Sequence, residues 1–274
     1  MSSREFHIDT ARMIIENNRH SLSNVAVDIF EGCVNESVEK TGKFIVAISG
    51  GSTPRDMYRM LAEEPYHSRV PWERIHFFWV DERCVSVDDP VSNYGTALKD
   101  LLDHVPIPRY QVHPMRGDLP PDEGREEYEG ELRSFFNIAH DEVPVFDLVI
   151  LGIGTDGHTA SLFPGHDSLH ATERLVCAVK GGNPDLNRLT LTIPVLNNAR
   201  HVLFIVAGGE KASVVSKVFS GDGDGGDVPA GMVKPREGEL IWLLDHDAAS
   251  LVLRTLKKSA EMPHEAEWHE KEGR

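Results

Sequence analysis

The sequence predicts an α/β fold: a mostly parallel, Rossmann-like sheet with helices on both faces. Three observations carry that expectation. Four short apolar segments rich in branched or aromatic side chains (44–49, 75–80, 146–151 and 201–207) each stop at Gly or Asp. Segments with helical spacing lie between them. A strand alternating with a helix returns the chain in the same direction, which builds a parallel sheet buried on both faces.

In chain order, residues 19–40 place Leu22, Val25, Ala26, Ile29, Phe30 and Cys33 on one helical face. The strand 44–49 follows, then a helix over 54–62 with Pro54 in its first turn. After the strand 75–80, a helix over 93–102 ends ahead of Pro106 and Pro108, and another spans 125–137. Beyond 146–151, residues 175–179 form a less regular strand and 189–193 a further one. Strand 201–207, helix 210–219, strand 240–244 and a last helix over 248–258 complete the series. Residues 1–260 are expected to form a single α/β domain. Residues 261–274 form a charged tail with little apolar periodicity, expected to be flexible; its His264 and His269 do not share a helical face, so no metal pair is expected there. Residues 220–227 (SGDGDGGD) read as a loop and lack the closing Glu and register of a calcium-binding hand.

Composition narrows the function. The 274 residues carry 44 acidic against 28 basic side chains, a net charge of −16. Nucleic-acid and anionic-membrane binding require basic faces and are not expected. A small anionic substrate remains compatible, because screening over about 8 Å lets local cations outweigh distant acid. Cys33, Cys84 and Cys177 suggest neither a disulfide framework nor a zinc knuckle. No apolar run nears the roughly 20 residues of a membrane span, and the start lacks a signal-peptide core. A cytoplasmic protein without metal, redox cofactor or obligate protein partner is expected.

Chemistry concentrates at the carboxyl ends of the strands, where open α/β sheets bind ligands. ISGGSTP at 48–54 follows a strand and opens a helix. Gly50 and Gly51 let a ligand approach the backbone, Ser52 and Thr53 offer hydroxyls, and helix N-terminal N–H groups favour an anion. A plain tight turn with a Ser/Thr cap accounts for the segment equally well. Asp81 and Arg83 end the next strand, where Arg83 suits a two-pronged phosphate contact and a solvated turn is the alternative. GIGTDG at 152–157 matches a dinucleotide-binding pattern. Pro164 and Gly165 come too early for the long helix that pattern needs, and His158 would crowd the pyrophosphate. His158 is instead a candidate proton carrier, with Asp156 either orienting it, contacting substrate or closing a local turn. Arg188 and Lys211 are candidate phosphate ligands or surface charges. No GxSxG elbow is present, and no cysteine stands beside a glycine-rich turn.

Five segments in order resemble the 6-phosphogluconolactonase family: ISGGSTP (48–54), WVDERCV with SNYGTALKDLL (79–85, 92–102), LGIGTDGHTASLFPG (151–165), RLTLTIPVLNNA (188–199) and GGEKA (208–212). PAGMVKP and WLLDHDAA nearer the C-terminus also fit, so the resemblance spans about residues 40–250. It implies a sugar-phosphate isomerase/deaminase-like fold. It also implies hydrolysis of 6-phospho-D-glucono-1,5-lactone to 6-phospho-D-gluconate in the oxidative pentose phosphate pathway, with no cofactor. On this reading His158 is the general base, Arg83 or backbone N–H groups stabilise the oxyanion, and Asp81 positions a sugar hydroxyl. Gly50, Gly51, Ser52, Thr53, Arg188 and Lys211 hold the phosphate. Related glucosamine-6-phosphate deaminases carry a Glu five residues after this His, where the chain has Phe163. Three segments depart from the family pattern: 181–187 (GGNPDLN), PAG at 229–231 and the acidic loop 220–227. The alternatives are an isomerase or deaminase on the same scaffold, which would release ammonia from glucosamine 6-phosphate, and a non-catalytic sugar-phosphate sensor, which would need no poised base.

Overall fold

The computed structural model describes residues 3–220 and 228–261. The predicted tail and most of the predicted 220–227 loop therefore lie outside the described residues. Strands β1 (Arg4–Ile8), β2 (Ala11–Glu16), β3 (Phe44–Ile48), β4 (Ile75–Trp79) and β5 (Asp81–Arg83) come first. They are followed by β6 (Val112–His113), β7 (Leu148–Leu151), β8 (Val176–Gly181), β9 (Leu186–Leu191), β10 (His201–Val206) and β11 (Glu239–Asp245). The helices are α1 (Arg19–Thr41), α2 (Ser52–Leu61), α3 (Tyr66–Arg69), α4 (Asn93–Ala97), α5 (Pro121–Phe136), α6 (Ile193–Leu196), α7 (Ala212–Phe219), α8 (Pro229–Met232) and α9 (Ser250–Glu261).

The main sheet has the order β1-β2-β11-β10-β7-β3-β4-β6, and every pairing is parallel except β1 with β2. The predicted mostly parallel α/β class is the one observed. Strands β3 and β7 are buried at every residue, as continuous Phe44–Ile48 and Leu148–Leu151 runs require when both faces are covered. Across β10 and β11, Phe204 and Trp242 stack at 4.0 Å with 7° between their planes. The long α1 starts where the Asn18 side chain accepts from the His20 and Ser21 amides, each at 3.0 Å, while Ser21 Oγ accepts from the Asn18 amide at 3.3 Å. Such a reciprocal cap stabilises a helix by about 1 kcal/mol.

Several elements differ from expectation. The antiparallel β1–β2 pair at the N-terminus was not foreseen. The strands expected at 175–179 and 189–193 do not enter the main sheet: β8 and β9 pair antiparallel, with β5 beside β9, in a separate three-stranded sheet. The physical cause lies at Val80. Its amide donates to Ile48 of the main sheet at 2.9 Å, and its carbonyl accepts from the Leu191 amide at 2.8 Å, so the chain changes sheets between β4 and β5. Helix α2 begins at Ser52, two residues ahead of the expected Pro54, with Gly51 as cap and no side-chain cap bond. The helix expected over 93–102 runs as α4 and then widens into a π turn over Leu98–Leu102.

From β3 the sheet grows in one direction through β4 and β6, and in the other through β7, β10 and β11. The crevice between the carboxyl ends of β3 and β7 is thus a topological switch point, the place where such sheets bind ligands.

Candidate active site

A cavity of about 190 Å³ lies at that switch point. Ser49, Gly50 and Gly51 enter it from the end of β3, and Gly152, Ile153, Gly154, His158 and Ala160 from the end of β7. Asp81 and Arg83 of β5, Asn93 of α4, Arg188 of β9 and Lys211 ahead of α7 complete the lining. Five segments far apart in sequence therefore deliver to one place seven of the ten residues singled out: Gly50, Gly51, Asp81, Arg83, His158, Arg188 and Lys211. Ser52, Thr53 and Asp156 are not among the lining residues. Ser52 and Thr53 form the first turn of α2, and the Ser52 carbonyl accepts from Arg19 Nη2 at 2.5 Å.

Asp156 lies behind the histidine. Its Oδ1 is 2.6 Å from His158 Nδ1 and also accepts from the His158 amide at 3.2 Å. Desolvation alone would raise the Asp156 carboxyl, but the charge and hydrogen bonds of His158 hold it below its ordinary value. A carboxylate on Nδ1 fixes the proton there and leaves Nε2 as the acceptor. The turn is tight: the Gly154 amide donates to the His158 carbonyl at 2.8 Å, and Thr159 Oγ1 donates to the Gly152 carbonyl at 2.8 Å. The imidazole packs on the Phe163 ring, centroid to centroid 4.9 Å.

Two guanidinium groups sit opposite each other in register, Arg83 on β5 and Arg188 on β9. Arg188 is 4% exposed; its Nε donates to the Gly181 carbonyl at 2.8 Å and its Nη2 to the Pro184 carbonyl at 3.3 Å. Arg83 donates through Nη1 to the Val91 carbonyl, and its buried Nε has no partner among the described residues. Neither forms an ion pair with a carboxylate there. Burial pushes the Arg188 guanidinium below its ordinary value, and the neighbouring charge of Arg83 adds to the effect. Two cations held this close without paired anions favour a multiply charged anion between them. Lys211, in the turn after Gly208, adds a third positive charge to the cavity.

The remaining wall is neutral or acidic. Asp81 is 5% exposed, accepting from Ser161 Oγ at 2.7 Å on Oδ2 and from Asn93 Nδ2 at 3.2 Å on Oδ1. Asn93 Nδ2 also donates to the Asp81 carbonyl at 2.8 Å. A Cβ on Gly50 would lie 1.9 Å from Asn93 Oδ1, so only glycine lets this asparagine close over the β3 turn. Glu82, on the opposite face of β5, accepts from the amides of Arg83, Asn93 and Tyr94, each at 2.7 Å, and from Ser92 Oγ at 3.0 Å. Burial raises its carboxyl while those backbone donors lower it, and the net direction is up. Glu82 thereby locks the start of α4, which carries Asn93, against β5. Sequence reasoning assigned no role to Asn93, Ser161 or Glu82; the one available signal was Ser92-Asn93 as a helix start. Among the described residues no group of three or more His, Cys, Asp or Glu side chains is arranged to hold a metal ion. No described helix is long and apolar enough to cross a membrane.

Residues 17–242 match the family described as glucosamine-6-phosphate isomerases/6-phosphogluconolactonase. A 6-phosphogluconolactonase from Synechocystis is 43% identical over 217 residues, covering 78% of this chain and 87% of the relative. The human 6-phosphogluconolactonase is 39% identical over 222 residues, covering 79% and 83%. Among solved structures, the Thermotoga maritima 6-phosphogluconolactonase superposes with a TM-score of 0.74 at 32% identity, covering 85% of this chain and 98% of its own. The Trypanosoma brucei enzyme gives 0.79 at 28% identity, covering 89% and 99%.

Proposed function

The chain belongs to the glucosamine-6-phosphate isomerase/6-phosphogluconolactonase family, and on that premise we propose that it hydrolyses 6-phospho-D-glucono-1,5-lactone to 6-phospho-D-gluconate. The observation that carries this reading is one cavity holding His158, backed by Asp156, together with Arg83, Arg188 and Lys211. A lactone is an activated ester, so one base and one anchored ring suffice.

In the proposed mechanism Arg188 and Lys211 bind the phosphate, with the Gly50–Gly51 turn beside them. Anchoring turns the attack into an effectively unimolecular step. His158 Nε2 takes a proton from water as the water oxygen bonds to the lactone carbonyl carbon, a role contributing about 10²–10⁴-fold. Arg83, which lines the cavity together with His158, stabilises the oxyanion. Collapse breaks the bond from the carbonyl carbon to the ring oxygen, which leaves with the proton returned by His158. The carboxylic acid formed then ionises and releases one proton to solvent. Asp81 retains lone pairs for a sugar hydroxyl beside its bonds to Ser161 and Asn93. The free thiols of Cys33, Cys84 and Cys177 support a reducing compartment such as the cytoplasm.

The test is proton release from freshly generated 6-phosphogluconolactone, read above spontaneous hydrolysis. His158→Ala should bind 6-phosphogluconate but lose turnover; unchanged turnover would remove His158 as the base. Ammonia release from glucosamine 6-phosphate by the wild type would favour the deaminase reading, which the buried Phe163 beside His158 opposes.

A further inference from the structure

Resting on the lactonase reading, we propose that Phe163 is a positioning residue. Its buried ring stands between the base and the phosphate-binding cation, and it stabilises the imidazolium that forms as water is deprotonated. The ring is 5% exposed. Its centroid lies 4.9 Å from that of His158, with planes at 46°, and 5.7 Å from Arg188 Cζ. Its setting is fixed from behind. His166 packs at 5.4 Å, and a Cβ on Gly181 would come within 3.0 Å of Phe163 Cδ2, so the β8 glycine makes the space the ring fills.

An aromatic face carries partial negative charge and attracts a cation within about 6 Å of its centre. Arg188 is positive throughout the reaction, so its contact with Phe163 serves placement. His158 acquires charge only as the water proton arrives. The ring therefore interacts with it more strongly in the transition state than before, and only such differential contacts raise kcat. The charged or titratable groups around His158 are Asp156 on its own turn, Arg83 and Asp81 on β5, Arg188 on β9, Lys211 ahead of α7 and His166 behind Phe163. Arg83, Arg188 and Lys211 all oppose the imidazolium. A neutral, polarisable ring on the Arg188 side lets the base charge without placing a permanent anion where the phosphate binds.

The experiment compares Phe163→Leu, Phe163→Tyr, Phe163→Gln and Phe163→Glu by proton-release kinetics across pH, with thermal melting of each. Phe163→Leu keeps an apolar filling and should lower kcat on the order of fivefold, with less change in KM and a melting transition near that of the wild type. Phe163→Tyr keeps the ring and should restore kcat. Phe163→Glu places a carboxylate against the imidazole, so the acid limb of its kcat profile should lie about one pH unit or more above that of Phe163→Gln. Three results would overturn the proposal: wild-type kcat in Phe163→Leu, equal losses in Phe163→Leu and Phe163→Tyr, or coincident acid limbs for Glu and Gln. If the wild type itself releases no protons from the lactone above background, the lactonase reading fails first, and the two failures are distinguishable.

Discussion

Replacing Asp156 by Asn isolates the part of catalysis that depends on holding His158 in one tautomer. The perturbed contact is the 2.6 Å bond from His158 Nδ1 to Asp156 Oδ1. A hydrogen bond to a charged group contributes about 1.5–3 kcal/mol when shielded from solvent. Here the aspartate side chain is 52% exposed and the imidazole 32%, so screening reduces the figure to about 1–2 kcal/mol. At about 1.4 kcal/mol per factor of ten, kcat should fall roughly 5- to 30-fold. The asparagine amide can also turn its NH₂ toward Nδ1, which moves the imidazole proton to Nε2 and removes the acceptor from that fraction of molecules. KM should change little, since Asp156 is not among the residues lining the cavity. The carboxyl titrates below its ordinary 3.8 in the folded protein. The unfolded chain therefore binds the proton first, and the pair's contribution to stability is present above pH 3.8 and lost as pH falls through the folded value. Melting of the wild type and Asp156→Asn should accordingly differ more at pH 7 than at pH 2. Stopped proton-release assays at saturating lactone provide the kinetic measurement. If Asp156→Asn and Asp156→Ala both keep kcat within twofold of the wild type, orientation of His158 by Asp156 is not part of the mechanism.

Two further perturbations read other parts of the molecule. Gly182→Ala would place a Cβ 2.4 Å from Arg188 Nη2 at a residue with φ of +87°, so it should displace the guanidinium and raise KM about tenfold with a smaller loss in kcat; steady-state kinetics would expose an unchanged KM. His76 contacts His113 Nε2 at 3.1 Å, and burial, with the charges of His113 and Lys43, pushes it down to about 4. Between pH 6.5 and about 4 the unfolded chain holds more protons there than the folded one, so stability should decline as pH falls through that window. In His76→Gln melts the decline should be shallower, and parallel curves for the two proteins would refute it.

Much of this architecture was legible because β3 and β7 are buried throughout and β4, β10 and β11 nearly so, and all five read as mainly apolar runs, interrupted in β4 by the half-buried His76. The elements that escaped are those whose partners lie elsewhere in the chain. β1 has no fully buried residue, and its charged Arg4 and Glu5 conceal a strand that depends on β2 for its ladder. β5 is written Asp-Glu-Arg, which reads as a solvated turn. Its two carboxylates are nevertheless buried, because Ser161 and Asn93 satisfy Asp81 and the first turn of α4 satisfies Glu82. A local reading sees the unscreened charges and not their donors, which apart from the Arg83 amide lie ten or more residues away. The same limit explains why β8 and β9 were recognised as strands without their separate sheet: membership is decided at Val80, through bonds to Ile48 and Leu191.

The run 152–157 is where pattern and structure differ most instructively. Its glycine spacing matches a motif in which absent side chains let a pyrophosphate approach the backbone. Here the absent side chains make room for the protein's own groups. A Cβ on Gly154 would stand 2.1 Å from His158 Nδ1 and 2.5 Å from Asp156 Oδ1, so the turn can hold the acid–imidazole pair only if residue 154 is glycine. Gly157 takes φ of +92°, and a Cβ there would meet Val228 Cγ1 at 2.8 Å; its carbonyl accepts from the Ala230 amide at 3.0 Å, tying the turn to α8. The early Pro164 and Gly165 leave no helix to receive a phosphate at this strand, whereas Gly51 at the cap of α2, Asn93 at the start of α4 and Lys211 ahead of α7 all line the cavity. On the proposed reading, phosphate binding by Arg188 and Lys211 and proton transfer by His158 are thus divided among separate strand ends, which meet in the cavity at the switch point between β3 and β7. A fingerprint confined to one strand end cannot represent that division, and the order of strands in the sheet can.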